Sequence, residues 1–257
     1  VLVEAFHYRF HPAWQLFQTL YDPNDVEHVE VRNALMAGVF PYTDIRFQYS
    51  LSGGALMDYG CYAVSSLRST FHAEPTDVTT ATYTPLPEKF DKQIDDAMVA
   101  TYTFPNGGTG KIDVNFNNRG GYWFPALTKN WPTLWFGLPK LTLDLKEKDG
   151  KKTQIIFHNY LAPFLYHRID IITTTAGTSK VEYKKEYTWS TSEEGFKGEE
   201  WWTTYRFQLE AFVDRVKKRK GSGVWVEPEE SIGQMETIDA TYLKSGLPVR
   251  PTSEALE

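Results

Sequence analysis

The strongest constraint on this chain is a change of period. After Pro75 the apolar residues stop recurring at helical spacing and begin to alternate. Thr76 to Thr84, Ala97 to Phe104 and Gly110 to Asn117 read as strands, and Pro105-Asn106-Gly107-Gly108 reads as the hairpin turn between the last two. Leu141 to Glu147 and Thr153 to Phe157 pair around Lys148-Asp149-Gly150, and further strands fall at Tyr166 to Thr174 and Lys180 to Trp189. Helical patterns flank this block. Pro12 to Leu20 is a short helix with proline in its first turn. Ala55 to about Phe71 is a second helix, in which Gly60 points to close approach of another backbone or a ligand. Trp202, Tyr205, Leu209, Phe212, Val213 and Val216 form one apolar stripe, and Ile232, Met235, Ile238 and Tyr242 form another, started near Glu229 or Ser231 and stopped by Ser245-Gly246. Val29 to Phe40 fits strand or helix. The expected class is α+β: one open-faced, mostly antiparallel sheet with helices on one face, in a single domain over 1–257.

Charge and cysteine usage remove several function classes. The formal net charge is -6, which does not suit a general nucleic-acid binder. One cysteine, Cys61, cannot form an internal disulfide or a zinc site of several thiolates. The six histidines form no two-histidine helical pair, so no metal site is expected. No apolar run reaches the ~18 residues of a membrane span, and Glu4, His7 and Arg9 interrupt any leader-like start, so the expected compartment is the cytoplasm. Aromatic residues reach 15%, which fits a ligand cleft, a subunit interface or a sheet rich in aromatic strand residues. Pro125 to Pro139, rich in Pro, Trp and Phe, reads as a long ordered loop.

Three groups of residues could carry chemistry. Asp58 and Tyr62 stand four apart on the second helix and so share a face. There a phenol can exchange a proton and a carboxylate can orient a hydroxyl; alternatively Asp58 caps the helix and Tyr62 only packs. Glu4 to Pro12 mixes His7, Arg9 and His11 with aromatics at an element junction; alternatively Arg9 and Glu4 form a structural ion pair. Asp95 and Asp96, adjacent on a strand, face opposite ways and read as structural rather than metal-binding. No Gly-x-Gly-x-x-Gly follows a strand, and neither Gly53-Gly54 nor Gly107-Gly108 is long enough for a phosphate cradle. Gly221-Ser222-Gly223 lacks the spacing of a nucleophile elbow.

These residues carry a family resemblance. Glu4-Ala5-Phe6-His7-Tyr8-Arg9-Phe10-His11-Pro12, followed by Gly53-Gly54-Ala55-Leu56-Met57-Asp58-Tyr59-Gly60-Cys61-Tyr62, resembles the second domain of the glucose–fructose oxidoreductase/inositol dehydrogenase (Gfo/Idh/MocA) family. Asp96-Ala97-Met98 through Phe104-Pro105-Asn106-Gly107 is similar to its first sheet strands, and Glu236 to Tyr242 with Ser245-Gly246 to its closing helix. Tyr62 and Tyr166-His167-Arg168-Ile169-Asp170 resemble the fungal D-xylose dehydrogenase and dihydrodiol dehydrogenase-like branch.

The resemblance implies NAD(P)-dependent oxidation of sugars, polyols or diols. It implies Tyr62 as the proton-transfer residue, Asp58 as its partner carboxylate, and His7 as a substrate contact in an aromatic pocket with Arg9, Trp202 and Tyr205. It implies a homodimer through the sheet face, with Trp123, Trp131 and Trp135 as sources of interface aromatics.

The N-terminal Rossmann domain of the family, with its Glu-Lys-Pro lysine, is not found in these residues. Val1 to Phe6 reads as the last strand of a missing part. The expectation is therefore no cofactor site in this chain and no redox catalysis by it alone. Alternatives are a cofactor-free cyclase, isomerase or dehydratase that reuses the pocket for an apolar small molecule, or a non-catalytic scaffold.

Overall fold

In the computed structural model, residues 1–133, 137–189 and 198–251 are described. They contain eight strands, largely antiparallel, together with helices, which makes the chain α+β as expected. The chain divides into two compact units. One comprises Val1–Val29 and Pro139–Gly233, the other Glu30–Leu138 and Gln234–Glu257.

The second unit is built on β2 (Asp77–Pro85), β3 (Asp95–Thr103) and β4 (Thr109–Asn118), with most of β1 (Val26–Met36) next to β4. β2 pairs with β3 and β3 with β4, both antiparallel. The 104–108 turn closes as its composition predicts: Phe104 N–H donates to Gly108 O at 3.0 Å and Gly108 N–H to Asn106 Oδ1 at 2.8 Å. Alternation sends Met98, Ala100, Tyr102, Ile112, Val114 and Phe116 into the core. There they meet α2 (Cys61–Phe71) and the C-terminal part of α5 (Pro228–Ser245). Phe71 stacks on Phe104 at 3.8 Å, and the Tyr102 hydroxyl lies 2.9 Å from Thr241 Oγ1. Each fully buried aromatic or aliphatic side chain contributes about 1.5–3 kcal/mol by leaving water.

The first unit holds β5 (Lys140–Lys148), β6 (Lys151–His158), β7 (Arg168–Thr175) and β8 (Thr178–Lys184), each antiparallel to the next, with the start of β1 beside β5. Its core is aromatic. Trp14 and Phe17, from α1 (Pro12–Gln18), pack with Tyr8, Phe157 and Tyr160. A short 3-10 turn, His7–Phe10, precedes α1, and α4 (Thr204–Val216) follows later in the chain.

The structure departs from the sequence reading at several places. Val1 to Phe6 forms no strand: β propensity in a short run needs a neighbouring strand, and the ladder supplies none there. Of the ambiguous Val29 to Phe40 segment, the part up to Met36 is strand β1 and residues 37–40 turn away. β8 ends at Lys184, five residues before Trp189.

The α4 stripe faces outward: Tyr205 is 60%, Leu209 51% and Val216 52% exposed. The buried face is Thr204, Phe207, Gln208, Ala211 and Asp214. Two of these buried polar groups are hydrogen-bonded, one by a sequence-distant group and one by a residue just past the helix. Gln208 Nε2 donates to Glu4 O at 3.0 Å, and Asp214 accepts from Arg219 Nε at 2.7 Å. The α5 stripe is half right: Ile238 and Tyr242 are buried, but Ile232 and Met235 are exposed. α5 begins at Pro228, so Glu229 stands in its first turn and Ser231 inside it. Among its described residues, the Pro125–Pro139 region holds one short helix, α3 (Pro125–Thr128), and Pro132, which forms a bridge with Arg119.

Candidate functional site

In the second unit, the Gly53-Gly54 turn sets the geometry. Gly54 has φ +132, a conformation that side-chain-bearing residues rarely adopt. A Cβ on Gly54 would strike the Asp95 carboxylate, the Arg250 guanidinium and the Tyr242 hydroxyl, and a Cβ on Gly53 would lie 2.6 Å from Arg46 O. Both glycines exist so that the chain can pass over a buried polar knot.

Asp95 is the centre of that knot. It is fully buried and accepts from Leu56 N–H at 2.6 Å, Arg250 Nη2 at 2.8 Å and the Tyr242 hydroxyl at 3.2 Å. Arg250 Nε donates in turn to Gly53 O at 2.7 Å. Burial pushes the Asp95 carboxyl up to about 6, against the pull of the Leu56 N–H and of Arg250. Burial also raises the Tyr242 phenol, which therefore stays protonated. Asp96 faces the other way and accepts from Asn117 Nδ2 at 2.8 Å, as the strand alternation predicts.

The knot holds the first turn of the helix that carries Asp58 and Tyr62. That turn, Leu56–Gly60, is a π-helix that runs directly into α2. Such turns are rare and concentrate at functional sites. Gly60 is approached by its own turn and a strand side chain rather than by another segment's backbone: a Cβ there would meet Leu56 Cδ1 at 3.0 Å, and Ala55 O and Val114 Cγ2 at 3.3 Å.

Asp58 does not cap. Neither N-cap residue, Ala55 or Gly60, makes a side-chain cap, and Asp58 accepts instead from Arg46 Nε at 2.9 Å. Its side chain remains 39% exposed, so the carboxylate is fixed in direction yet open to a ligand. Asp58 O also accepts from Cys61 Sγ, and Tyr59 O from Asn33 Nδ2. Tyr62 is half-buried in the first turn of α2, where Ser66 Oγ donates to its carbonyl at 2.7 Å.

In the first unit, His7 stacks on Tyr205 at 4.1 Å. Arg9 pairs not with Glu4 but with Glu230 at 2.6 Å; the pairing partner is sequence-distant, and Glu4 is turned toward Gln208 through its backbone. Trp202 lies under the Arg206 guanidinium at 4.9 Å and edge-on to Phe207 at 5.3 Å.

Next to these, His11 and His167 are held neutral. Ala13 N–H donates to His11 Nδ1 at 3.1 Å, which leaves the proton on Nε2. His167 Nδ1–H donates to Pro163 O at 2.7 Å, and its Nε2 accepts from Glu186 N–H at 3.0 Å. Burial lowers His7 to about 4; burial, and then the nearby His167, lower His11 to about 3. Rings of Phe207 and Tyr187 complete the cluster.

The sequence singles out Asp58, Tyr62, His7, Arg9, Trp202 and Tyr205 as candidates; it does not single out Arg46, which pairs with Asp58, or Arg250 and Tyr242, whose partner Asp95 lies far along the chain. Of the interface tryptophans, Trp123 and Trp131 are exposed, and Trp135 lies outside the described residues. Among the described residues no three His, Cys, Asp or Glu side chains form a metal-binding group, and no helix is long and apolar enough to cross a membrane.

Residues 25–135, which span the Gly-Gly turn, the π turn and β1 to β4, match the sequence model of the GFO/IDH/MocA C-terminal domain. This stretch of the chain is similar to the C-terminal domain of the GFO/IDH/MocA family. A 120-residue stretch is 32% identical to D-xylose 1-dehydrogenase (NADP(+)) 2 of Haloferax volcanii, covering 45% of this chain and 34% of the dehydrogenase. An aldose-aldose oxidoreductase from Caulobacter crescentus, solved with glycerol, superposes with TM-score 0.64 at 14% identity, over 95% of this chain and 62% of that one. A 3-ketoreductase from Actinomadura kijaniata, solved with NADP and TDP-benzene, superposes equally well, at TM-score 0.64 and 14% identity over 95% and 62%. These structural likenesses speak for the GFO/IDH/MocA fold. The chain spans about three fifths of the solved relatives' length and matches about a third of the curated one.

Proposed function

We propose that this chain supplies the substrate-binding portion of an NAD(P)-dependent sugar or diol oxidoreductase. The observation that carries the reading is the π turn at Leu56–Gly60. It is braced by Asp95 and Arg250, and it carries Asp58, aimed by Arg46, one helical turn before Tyr62. Asp58 accepts hydrogen bonds from substrate hydroxyls, and Tyr62 exchanges a proton with the reacting oxygen. His7 and Tyr205 offer stacked rings to a sugar face, and Arg9 and Trp202 line the same unit's substrate contacts.

A nicotinamide dinucleotide does not fit the glycines present. The space over Gly53 and Gly54 is filled by Arg46, Asp95 and Arg250, so the turn is no phosphate cradle. No hydride step is derived from this chain's residues. The sheet pairs with a second copy through an open face, to which exposed Val181 and Tyr183 of β8 contribute.

D-Xylose and a short vicinal diol, titrated into the chain by calorimetry, test the reading. Saturable binding that weakens in Tyr62→Phe supports it. Absence of heat with both ligands at millimolar concentration overturns it.

A further inference from the structure

A separate cavity of ≈230 Å³ opens beside the end of α4. Arg215, Arg219, Lys220, Ser222 and Trp225 line it. Five of the six residues from Arg215 to Lys220 are cationic, in a chain of formal net charge -6, so this is a positive spot on an acidic protein.

The cavity is a built feature. Asp214 is buried and accepts from Arg219 Nε at 2.7 Å and Nη2 at 2.6 Å. The backbone turn folds onto the same carboxylate: Gly221 has φ +54, and a Cβ there would lie 2.8 Å from Asp214 Cγ. One buried carboxylate thus pins both Arg219 and the turn that follows it. On the opposite wall the Arg215 guanidinium lies 5.0 Å over the Trp225 ring, which Phe212 backs at 6.5 Å.

Among the described residues, Arg215 brings five N–H donors and meets one carboxylate, Glu227, at a long 3.5 Å. Ser222 Oγ accepts from Val224 N–H at 3.3 Å, so its own proton remains to donate. Lys220 adds a further cation to the wall.

We propose that this cavity binds the phosphate group of a small phosphorylated molecule. A tetrahedral dianion accepts from several directions at once, which suits a guanidinium fork, an ammonium and a hydroxyl that line one small space. The cavity holds a single such group with a small substituent. A nucleic-acid strand, in contrast, would meet repulsion from the remaining acidic surface.

Calorimetric titration of inorganic phosphate and of glucose 6-phosphate into the intact chain tests this. Saturable binding of either is expected, and tighter binding of the ester identifies an ester rather than free phosphate as the occupant. The double variant Arg215→Ala/Lys220→Ala should weaken binding roughly tenfold or more. Its melting temperature should stay near wild type, because the Arg215 guanidinium is half exposed. Should that variant melt early, Lys220→Gln provides the same test with the turn intact. Two results overturn the proposal: no saturable heat with either probe, or equal affinity in wild type and in a folded variant.

Discussion

The two units solve the problem of a polar interior in opposite ways. Beneath the Gly53-Gly54 turn, charge is buried and neutralised: Asp95 meets Arg250 at 2.8 Å, and the Tyr242 hydroxyl and a backbone N–H take the remaining lone pairs. Around His11, charge is refused. The imidazoles of His7, His11 and His167 sit neutral among aromatic rings, and backbone groups place the protons of His11 and His167. An ionic knot fixes directions tightly and fails badly when one partner is lost. A neutral aromatic cluster tolerates small changes but fails in acid. The first arrangement supports a turn whose aim matters, and the second a surface offered for stacking.

The largest effect should come from breaking the knot. Asp95→Ala leaves Arg250 buried without its carboxylate, and should cost about 3–5 kcal/mol in a denaturant titration. A loss below about 1 kcal/mol would show that water replaces the pair.

Acid should discriminate the two regions next. With folded values of about 4 for His7 and about 3 for His11, the unfolded chain binds more protons as pH falls below about 6.5. Stability contributed by these neutral rings is therefore lost as pH falls from about 6.5 toward 4, by about 3 kcal/mol for His7 alone. Asp95 acts in the opposite sense: its raised value of about 6 means the folded state holds the proton longer, and that contribution is lost as pH rises from about 4 to about 6. In Asp95→Asn the acid slope should steepen, because the opposing titration is gone. An unchanged slope would remove Asp95 from the account.

Smaller effects sharpen the picture. Thr203 Oγ1 accepts from Arg206 N–H at 3.2 Å at the start of α4, so Thr203→Ala should cost about 1 kcal/mol of stability. Leu209→Ser should change stability by no more than about 0.5 kcal/mol, because that face of α4 is exposed. A cost above about 2 kcal/mol in a monomeric sample would restore the buried stripe.

That last variant marks where the sequence is legible and where it is not. β2 to β7 were readable because alternation and turn residues are local, and the two hairpins closed where Asn106-Gly107 and Asp149-Gly150 place them. The buried face of α4 was not readable. Apolar spacing favoured Tyr205, Leu209 and Val216, whereas burial followed Gln208 and Asp214, whose partners no periodicity reveals. In the candidate site the same limit applies. Asp58 and Tyr62 were found from their spacing and from the motif around them. The brace was missed because Asp95 reaches Leu56 across 39 residues and Arg250 across 155. The π turn itself carries no local signal beyond its one glycine, Gly60.

The central claim is that the buried knot shapes the turn while Asp58, exposed and aimed by Arg46, does the binding. Calorimetric titration of D-xylose into Asp58→Asn, beside a melt of the same sample, tests it most directly. The Asp58–Arg46 pair is partly exposed and is worth no more than about 1 kcal/mol. The account therefore predicts a near-native melt with sugar binding lost or weakened at least about tenfold. Native affinity for D-xylose, or a melt that collapses as far as that of Asp95→Ala, would contradict it.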